Sequence, residues 1–98
     1  MRVRCAEMPE YLLELYVPRT GARVAADHGE SARAAAEDLT RRGSPVRYRC
    51  SIFVPAEETC FVLYEAPSVD AVRAAARLAA LPCERVSTAI THPLSEEP

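Results

Sequence analysis

The sequence predicts a single α+β domain in which strands and helices follow the order β-α-β-β-α-β. Three observations lead to this fold class. Two Ala-rich segments repeat their apolar residues with helical periodicity, and four short segments have the apolar, β-branched and aromatic composition of strands. The second and third strands are separated only by a short polar segment, as in a hairpin. The length of 98 residues suits one such domain.

The first half of the chain contains one strand and the longer helix. Residues 11–17 are mostly apolar or aromatic, and Pro18 ends this strand. Residues 21–42 predict a helix, because Ala is frequent and basic residues followed by Gly43 form a common helix end. Gly29 is expected only to weaken this helix. The residues that share its predicted buried side are Val24, His28, Ala32, Ala35 and Leu39.

The second half contains the other three strands and the shorter helix. Residues 46–54 alternate in character and predict a strand, and residues 59–65 return from it after a polar turn. The side chains expected to face the helices are Val46, Tyr48, Cys50, Ile52 and Val54. Ser68 is expected to cap a helix that ends before Pro82, and residues 84–91 predict the last strand. Two βαβ units joined by a hairpin form a ferredoxin-like sandwich, a four-stranded antiparallel sheet with two helices on one face.

Two helices cover only one face of such a sheet, and the sequence predicts that the other face is an interface. The side chains expected on this open face are Leu12, Glu14 and Tyr16, then Arg47, Arg49, Ser51 and Phe53, then Cys60, Val62 and Tyr64, and finally Ser87, Ala89 and Thr91. Exposed patches with this much apolar and aromatic surface usually mark an interface. We therefore expect a homodimer that packs through its sheet faces.

Composition and charge narrow the classes of function. All twelve basic residues are Arg, which indicates the codon bias of a GC-rich genome, and the net charge of −2 argues against nucleic-acid binding. The chain has no apolar run of the ~20 residues that a membrane span needs, and its first residues are too polar for a signal peptide. The cysteines form no C-x-x-C pair, so we expect reduced thiols in a cytoplasmic protein. The domain is expected to span residues 9–92, with flexible tails at 1–8 and 93–98.

Several segments of the chain resemble, in order and in spacing, those of one small bacterial family. They are residues 8–14 (MPEYLLE), His28, Val46-Arg47-Tyr48 with Ser51, Cys60, residues 63–68 (LYEAPS) followed by Ala71-Val72-Arg73, and Leu81-Pro82. Together they resemble the family catalogued as domain of unknown function 4242, whose members are described as nickel-binding, ferredoxin-like proteins. The resemblance implies the same fold, a homodimer and a role in binding a divalent transition metal such as nickel. Leu15 and Glu84 depart from the family pattern, which often has a basic residue and an aspartate there.

His28 and Cys50 are the metal ligands that the sequence suggests. His28 lies on the predicted buried side of the first helix, and Cys50 lies on the side of its strand that is expected to face that helix. The two side chains could therefore meet beneath the helix, where an imidazole nitrogen and a thiolate suit nickel, zinc or copper. The alternative is a core histidine that bonds to Tyr48 or to a backbone carbonyl, beside a small buried cysteine.

A second group of candidate residues lies on the predicted open face and would bind a small ligand. The carboxylate of Glu14 interrupts an apolar strand and needs a partner, because an unpaired buried ion costs several kcal/mol. Arg49 or Arg47 could supply that partner, and the alternative is an ion pair within a dimer interface. The complete candidate set for ligand binding is Glu14, Arg49, Ser51, Cys60 and Tyr64.

The sequence leaves three functions open. The first is a non-catalytic protein that binds a transition metal, which the resemblance favours. The second is a dimeric α/β-barrel-like protein that binds a small ligand or acts as a cofactor-free oxygenase, and the third is a protein-interaction module that uses its open face. The sequence contains no H-E-x-x-H metal motif, no Gly-rich phosphate loop and no Ser-His-Asp order, so a catalytic role is not favoured.

Overall fold

Residues 8–92 form seven elements, and their order confirms the predicted ferredoxin-like arrangement. The structure is a computed structural model that describes residues 8–92. Its elements are β1 (Glu10–Tyr16), α1 (Ala22–Arg41), β2 (Arg47–Val54), one turn of 3₁₀ helix (Pro55–Glu57), β3 (Thr59–Glu65), α2 (Val69–Leu78) and β4 (Cys83–Ala89). All neighbouring strands are antiparallel, in the order β2-β3-β1-β4.

The ends of the elements follow from local chemistry that the sequence signals well. The hydroxyl of Ser68 accepts a hydrogen bond of 3.3 Å from the backbone N–H of Ala71, which confirms the predicted cap of α2. Gly43 has a φ of 96° after α1, a conformation that favours glycine. The last strand ends at Ala89, two residues earlier than predicted. Apart from Met8, the predicted tails at 1–8 and 93–98 lie outside the described residues.

The core lies between the helices and one face of the sheet. From β1 and β3 it takes alternate side chains, namely Leu13 and Leu15, and Cys60, Val62 and Tyr64. The helices contribute mainly alanines, together with Val72. Because alanine is small, the helix backbones approach the sheet closely, and the large side chains of the strands fill the space between the layers. Neither helix among residues 8–92 combines the length and apolar character that a membrane span requires.

The predicted orientation of β3 is wrong. Cys60, Val62 and Tyr64 were expected on the open face, but all three are buried under the helices. The register explains this, because Leu13 pairs with Val62 and Leu15 pairs with Cys60, and directly paired residues share a face. The open face therefore receives Phe61, Leu63 and Glu65. Both sets are largely apolar, so alternation alone does not distinguish the inner face from the outer one.

The predicted orientation of β2 is correct only for its first residues, because a β-bulge lies in the middle of the strand. Arg49 has no partner in β3, and the register shifts between Tyr48 and Cys50. An extra residue reverses the side-chain alternation beyond it. Ser51 and Phe53, which were expected on the open face, therefore face the helices. Cys50 and Ile52, which were expected inside, lie on the open face and are exposed.

The buried side of α1 is rotated relative to the prediction. Its buried residues are Ala25, Gly29, Ala32, Ala35 and Ala36. Val24, expected in the core, is 45% exposed, and His28 is only half-buried. Gly29 does more than weaken the helix, because a Cβ atom there would lie 2.9 Å from Oγ of Ser51. The absence of a side chain at this position allows α1 to rest on β2.

Candidate functional site: the open face of the sheet

The face of the sheet that neither α1 nor α2 covers carries a patch of large apolar side chains. We define the apolar patch as Leu12, Tyr16, Cys50, Ile52, Phe61 and Leu63. The strand register makes these residues neighbours, because Leu63 lies between Leu12 on β1 and Cys50 on β2, and Phe61 pairs with Ile52. Ile52 is 54% exposed and Tyr16 is 52% exposed. Folding of one chain therefore leaves these side chains in contact with water, which favours a function for the patch in binding.

Two carboxylates and two arginines form an ion-pair cluster at one end of this face. Glu10 and Glu65 are direct partners across β1 and β3, an arrangement in which like charges repel. Arg49 relieves the repulsion, because its Nη1 lies 3.4 Å from Oε2 of Glu10 and 2.5 Å from Oε2 of Glu65. Arg47 contacts the other oxygen of Glu65 at 3.5 Å, and the hydroxyl of Thr91 donates a bond of 2.8 Å to Glu10.

The carboxylates of this cluster are mostly buried, whereas its arginines are exposed. The side chains of Glu10 and Glu65 are only 13% and 12% exposed, whereas those of Arg49 and Arg47 are 46% and 71% exposed. The carboxylates are thus largely desolvated and need their partners, while the arginines cover them from the solvent side. Arg49 is the extra residue of the β-bulge, and its side chain bridges two strands by contacting Glu10 of β1 and Glu65 of β3.

Glu14 is not part of that cluster, contrary to the prediction that Arg49 or Arg47 would be its partner. It lies further along β1, opposite Arg85 of β4 and Phe61 of β3. Near it, at the other end of the sheet, is a cavity of about 140 Å³ whose carboxylates are Glu14, Glu57, Glu58 and Glu84. Glu58 already accepts a hydrogen bond of 3.0 Å from the backbone N–H of Arg19.

The three cysteines in the described part of the chain have different environments. Cys50 is exposed within the apolar patch. Cys60 is buried in the core, and desolvation raises the pKa of its thiol, so that the neutral form is favoured. Cys83 is half-buried at the start of β4, where burial also raises its pKa and its thiol contacts the carbonyl oxygen of Arg85 at 3.5 Å.

Tyr64 belongs to the core, and Ser51 is half-buried on the side of the sheet that faces the helices, so neither belongs to an open-face pocket. The hydroxyl of Tyr64 donates a hydrogen bond of 2.7 Å to the carbonyl oxygen of Ala32, and desolvation raises the pKa of Tyr64 well above its ordinary value, with a further contribution from Tyr48. Tyr48 donates to Oγ of Ser51 at 3.0 Å, and the two tyrosine rings meet edge to face at 6.3 Å. The predicted ligand set is therefore divided, with only Glu14 and Arg49 on the open face.

The sequence of the chain matches the family described as nickel responsive protein SCO4226-like, over residues 11–88. The match spans most of the chain, from the first strand to the last. The chain belongs to this family. The predicted resemblance to a small family of nickel-binding-like proteins is thereby confirmed. Neither curated proteins nor solved structures showed a significant match to the chain.

Membership of the nickel-responsive family raises the question of which residues fit a metal ion. The predicted ligands His28 and Cys50 are not brought together. Cys50 points to the open face, whereas His28 belongs to the helix layer on the other side of the sheet. Within residues 8–92 no group of three or more His, Cys, Asp or Glu side chains is arranged to hold a metal ion. The described part of a single chain therefore does not fit a site with three side-chain ligands.

Sequence reasoning missed Glu10 and Glu65, two charged groups of the open face whose side chains are only 13% and 12% exposed. Glu10 was placed before the first strand, and Glu65 was treated only as the end of the third. The signal for both was available in the acidic residues that stand next to Tyr11 and Tyr64 at strand ends. Recognising them required the register of β1 against β3, because only that register shows that the two carboxylates are adjacent.

Proposed function

We propose that this protein binds nickel, or a chemically similar divalent transition metal, and that it is a non-catalytic protein of the cytoplasm. The family match over residues 11–88 is the observation that carries the proposal. The free thiols of Cys50, Cys60 and Cys83 are in keeping with a reducing compartment. Imidazole and thiolate groups are ligands that nickel accepts readily, and the chain has both.

We further propose that two copies pack through the apolar patch to form a homodimer. The support is the exposure of Ile52 and Tyr16 beside Leu12, Phe61 and Leu63 on a face that the helices leave open. Two-fold symmetry makes such a patch self-complementary, and burying it removes apolar surface from water. The same packing supplies metal ligands from two chains, which is relevant because no set of three is assembled within residues 8–92 of one chain.

Cys50 is the ligand that we favour. It is exposed, it lies within the proposed contact and it offers a soft sulfur atom. His28 is a separate candidate, half-buried on α1 and unable to share an ion with Cys50 of the same chain. Cys60 is a poor candidate, because it is buried in the core and its raised pKa disfavours the thiolate form that binds metals.

The test is calorimetric titration of nickel chloride into the untagged protein, with zinc and copper salts in parallel. We expect about one ion per chain, and weaker binding as the pH decreases, because protons compete for thiolate and imidazole ligands. Cys50→Ser should weaken binding strongly, whereas His92→Ala, a change at an exposed residue after β4, should leave it unchanged. If His28→Ala weakens binding and Cys50→Ser does not, the site lies on the helix side. If none of the three metals binds wild type, the metal function is refuted.

An interaction module is the second candidate, because the same apolar patch would suit a different protein partner. The two functions differ in what the isolated chain does. A metal-binding homodimer associates with itself and takes up nickel, whereas an interaction module remains a monomer without metal. Sedimentation of the untagged protein with and without nickel chloride distinguishes these outcomes.

A further inference from the structure

A second concave surface lies away from the open face, between the C-terminal half of α1 and the beginning of β2. The cavity has a volume of about 480 Å³. Its apolar and aromatic lining residues, here called the floor, are Ala36, Val46 and Tyr48, and its charged lining residues, here called the rim, are Arg33, Glu37, Arg41 and Arg47. Cavities that bind small molecules typically have volumes of about 300–1,000 Å³ and combine apolar walls with a few polar groups.

The floor of the cavity is held in place by hydrogen bonds on both sides. The hydroxyl of Thr40 donates to the carbonyl oxygen of Val46 at 2.9 Å and accepts from its N–H at 3.1 Å. Tyr48 is fixed by its hydrogen bond to Ser51 and by the edge-to-face contact between its ring and that of Tyr64. A ligand on this floor would therefore meet a preformed surface and would not have to order it.

The arginines of the rim are only partly neutralised by carboxylates of the same chain. Arg33 is occupied by Glu30 and by Glu37, the one carboxylate that lines the cavity. Arg41 makes a contact of 3.1 Å with Asp38, a carboxylate that it shares with Arg42. The contact from Arg47 to Glu65 is long, at 3.5 Å, and the other oxygen of Glu65 is bound by Arg49.

Arg41 and Arg47 therefore have N–H donors that can bind a ligand. Their side chains are 69% and 71% exposed, and a guanidinium group has five N–H donors in a fork that matches a carboxylate. Both side chains stand beside an apolar floor, and Glu37, the carboxylate among the lining residues, is paired with Arg33 at 2.9 Å. Charge complementarity thus favours a ligand with an acidic head and an apolar body.

We propose that this cavity binds a small amphipathic carboxylate, whose aromatic or aliphatic body rests on Ala36, Val46 and Tyr48 and whose carboxylate is bound by Arg41 and Arg47. A small molecule fits better than an extended acidic peptide. A peptide that added a strand to the edge at β2 would need a regular ladder, and the bulge at Arg49 interrupts that ladder directly after Tyr48. The site is independent of the proposed metal function. It lies at the edge of the sheet that β2 forms, where Arg47 also contacts Glu65 of the ion-pair cluster, and it includes none of the residues of the apolar patch.

The experiment is a titration of ¹⁵N-labelled protein with 4-phenylbutyrate, followed by amide chemical shifts. The uncharged 4-phenylbutanol serves as the matched ligand without the carboxylate. The variant Arg41→Gln/Arg47→Gln removes the two charges at the rim, and Arg19→Gln/Arg23→Gln removes two charges from exposed positions elsewhere. All substituted side chains are on the surface, and circular dichroism confirms that each variant is folded.

We expect 4-phenylbutyrate to shift the amide signals of Ala36, Val46 and Tyr48. Binding should weaken about tenfold in the Arg41→Gln/Arg47→Gln variant, as two exposed charge contacts imply, and should be unchanged in the control variant. The alcohol should bind more weakly than the acid. Shifts confined to the apolar patch, equal affinity in the two variants, or binding of a Glu-rich peptide in place of 4-phenylbutyrate would each overturn the proposal.

Discussion

The two faces of this one sheet are built from the same strands but have different chemistry. Leu12 and Leu13 are neighbours in β1, yet Leu13 is completely buried under the helices and Leu12 lies in the apolar patch on the open face. The covered face has a core of Leu, Val and Tyr against alanines. The open face has apolar residues of similar size, but it has ion pairs at one end and is covered by neither α1 nor α2. We infer that the covered face stabilises the fold of one chain and that the open face serves association.

The largest expected effect is the difference between Leu13→Ala and Leu12→Ala. Leu13→Ala leaves a cavity in the core and should lower the free energy of unfolding by about 3 kcal/mol, within the usual range for such changes. Leu12→Ala should cost less than about 1 kcal/mol, because water already reaches this side chain in the single chain. Urea denaturation measures both losses of stability, at a protein concentration low enough to keep the chain monomeric. Equal losses would contradict the division of roles between the faces.

The thiols should report the same difference by their rates of alkylation. Cys60 is buried and its pKa is raised by desolvation, so iodoacetamide should modify it about a hundredfold more slowly than Cys50. Peptide mapping by mass spectrometry reads each thiol separately. Alkylation of Cys50 should also slow as the protein concentration increases, because association covers it, while the rate at Cys60 stays constant. A rate at Cys50 that does not depend on concentration would contradict the proposed contact.

A smaller effect is expected for Tyr64→Phe on the covered face. The change removes the hydrogen bond to Ala32 while keeping the ring, and should cost about 1 kcal/mol in the free energy of unfolding. Burial raises the pKa of Tyr64, so the folded chain holds this proton while the unfolded chain releases it near pH 10. The stabilisation is therefore fully present below about pH 10 and is lost as the pH rises further.

Denaturation at pH 8 and pH 11 tests this linkage. The wild type should lose more stability between the two values than Tyr64→Phe does, because the variant lacks the group that ionises. Tyr16→Phe on the open face is the matched control, since Tyr16 is half-exposed. If the two variants lose the same stability as the pH rises, burial of Tyr64 does not account for the loss of stability at high pH.

The smallest effect is expected from removing residues 1–7. These residues include Arg2, Arg4 and Glu7 and contain no long apolar run, so we expect them to add nothing to the fold. A chain that starts at Met8 should melt within about two degrees of the full chain, which corresponds to a few tenths of a kcal/mol. A much larger decrease would indicate that this segment adds a strand or covers the open face, and the contrast between the two faces would then be smaller.

The sequence was sufficient for the order of elements but not for the orientation of two strands. Ser68, Pro18 and Gly43 mark element ends by local chemistry, and the hairpin is local as well. The orientation of β3 depends on its register against β1, which is a long-range property, and its two sides are about equally apolar. The reversal within β2 depends on a bulge that no residue type signals.

These two errors explain why the predicted site did not assemble. The prediction put Cys60 and Tyr64 on the open face and Cys50 on the covered face. Each of these residues lies on the opposite face, so the predicted sets combined residues that the sheet separates. The apolar patch was nevertheless predicted in part, because Leu12 and Tyr16 belong to β1, whose orientation was correct. The Glu10 and Glu65 pair could not be found without the register, since the two residues are 55 positions apart in the chain.

Sedimentation of the wild-type chain and of Ile52→Glu tests most directly whether the open face joins two copies. Ile52 is exposed in the single chain, so the substitution should leave folding intact and place an unpaired charge in the contact. At micromolar concentration we expect wild type to sediment as a dimer, at about twice the mass of 10.8 kDa, and Ile52→Glu to sediment as a monomer with an unchanged far-ultraviolet spectrum. A wild type that remains monomeric, or a variant that remains dimeric, would contradict the account.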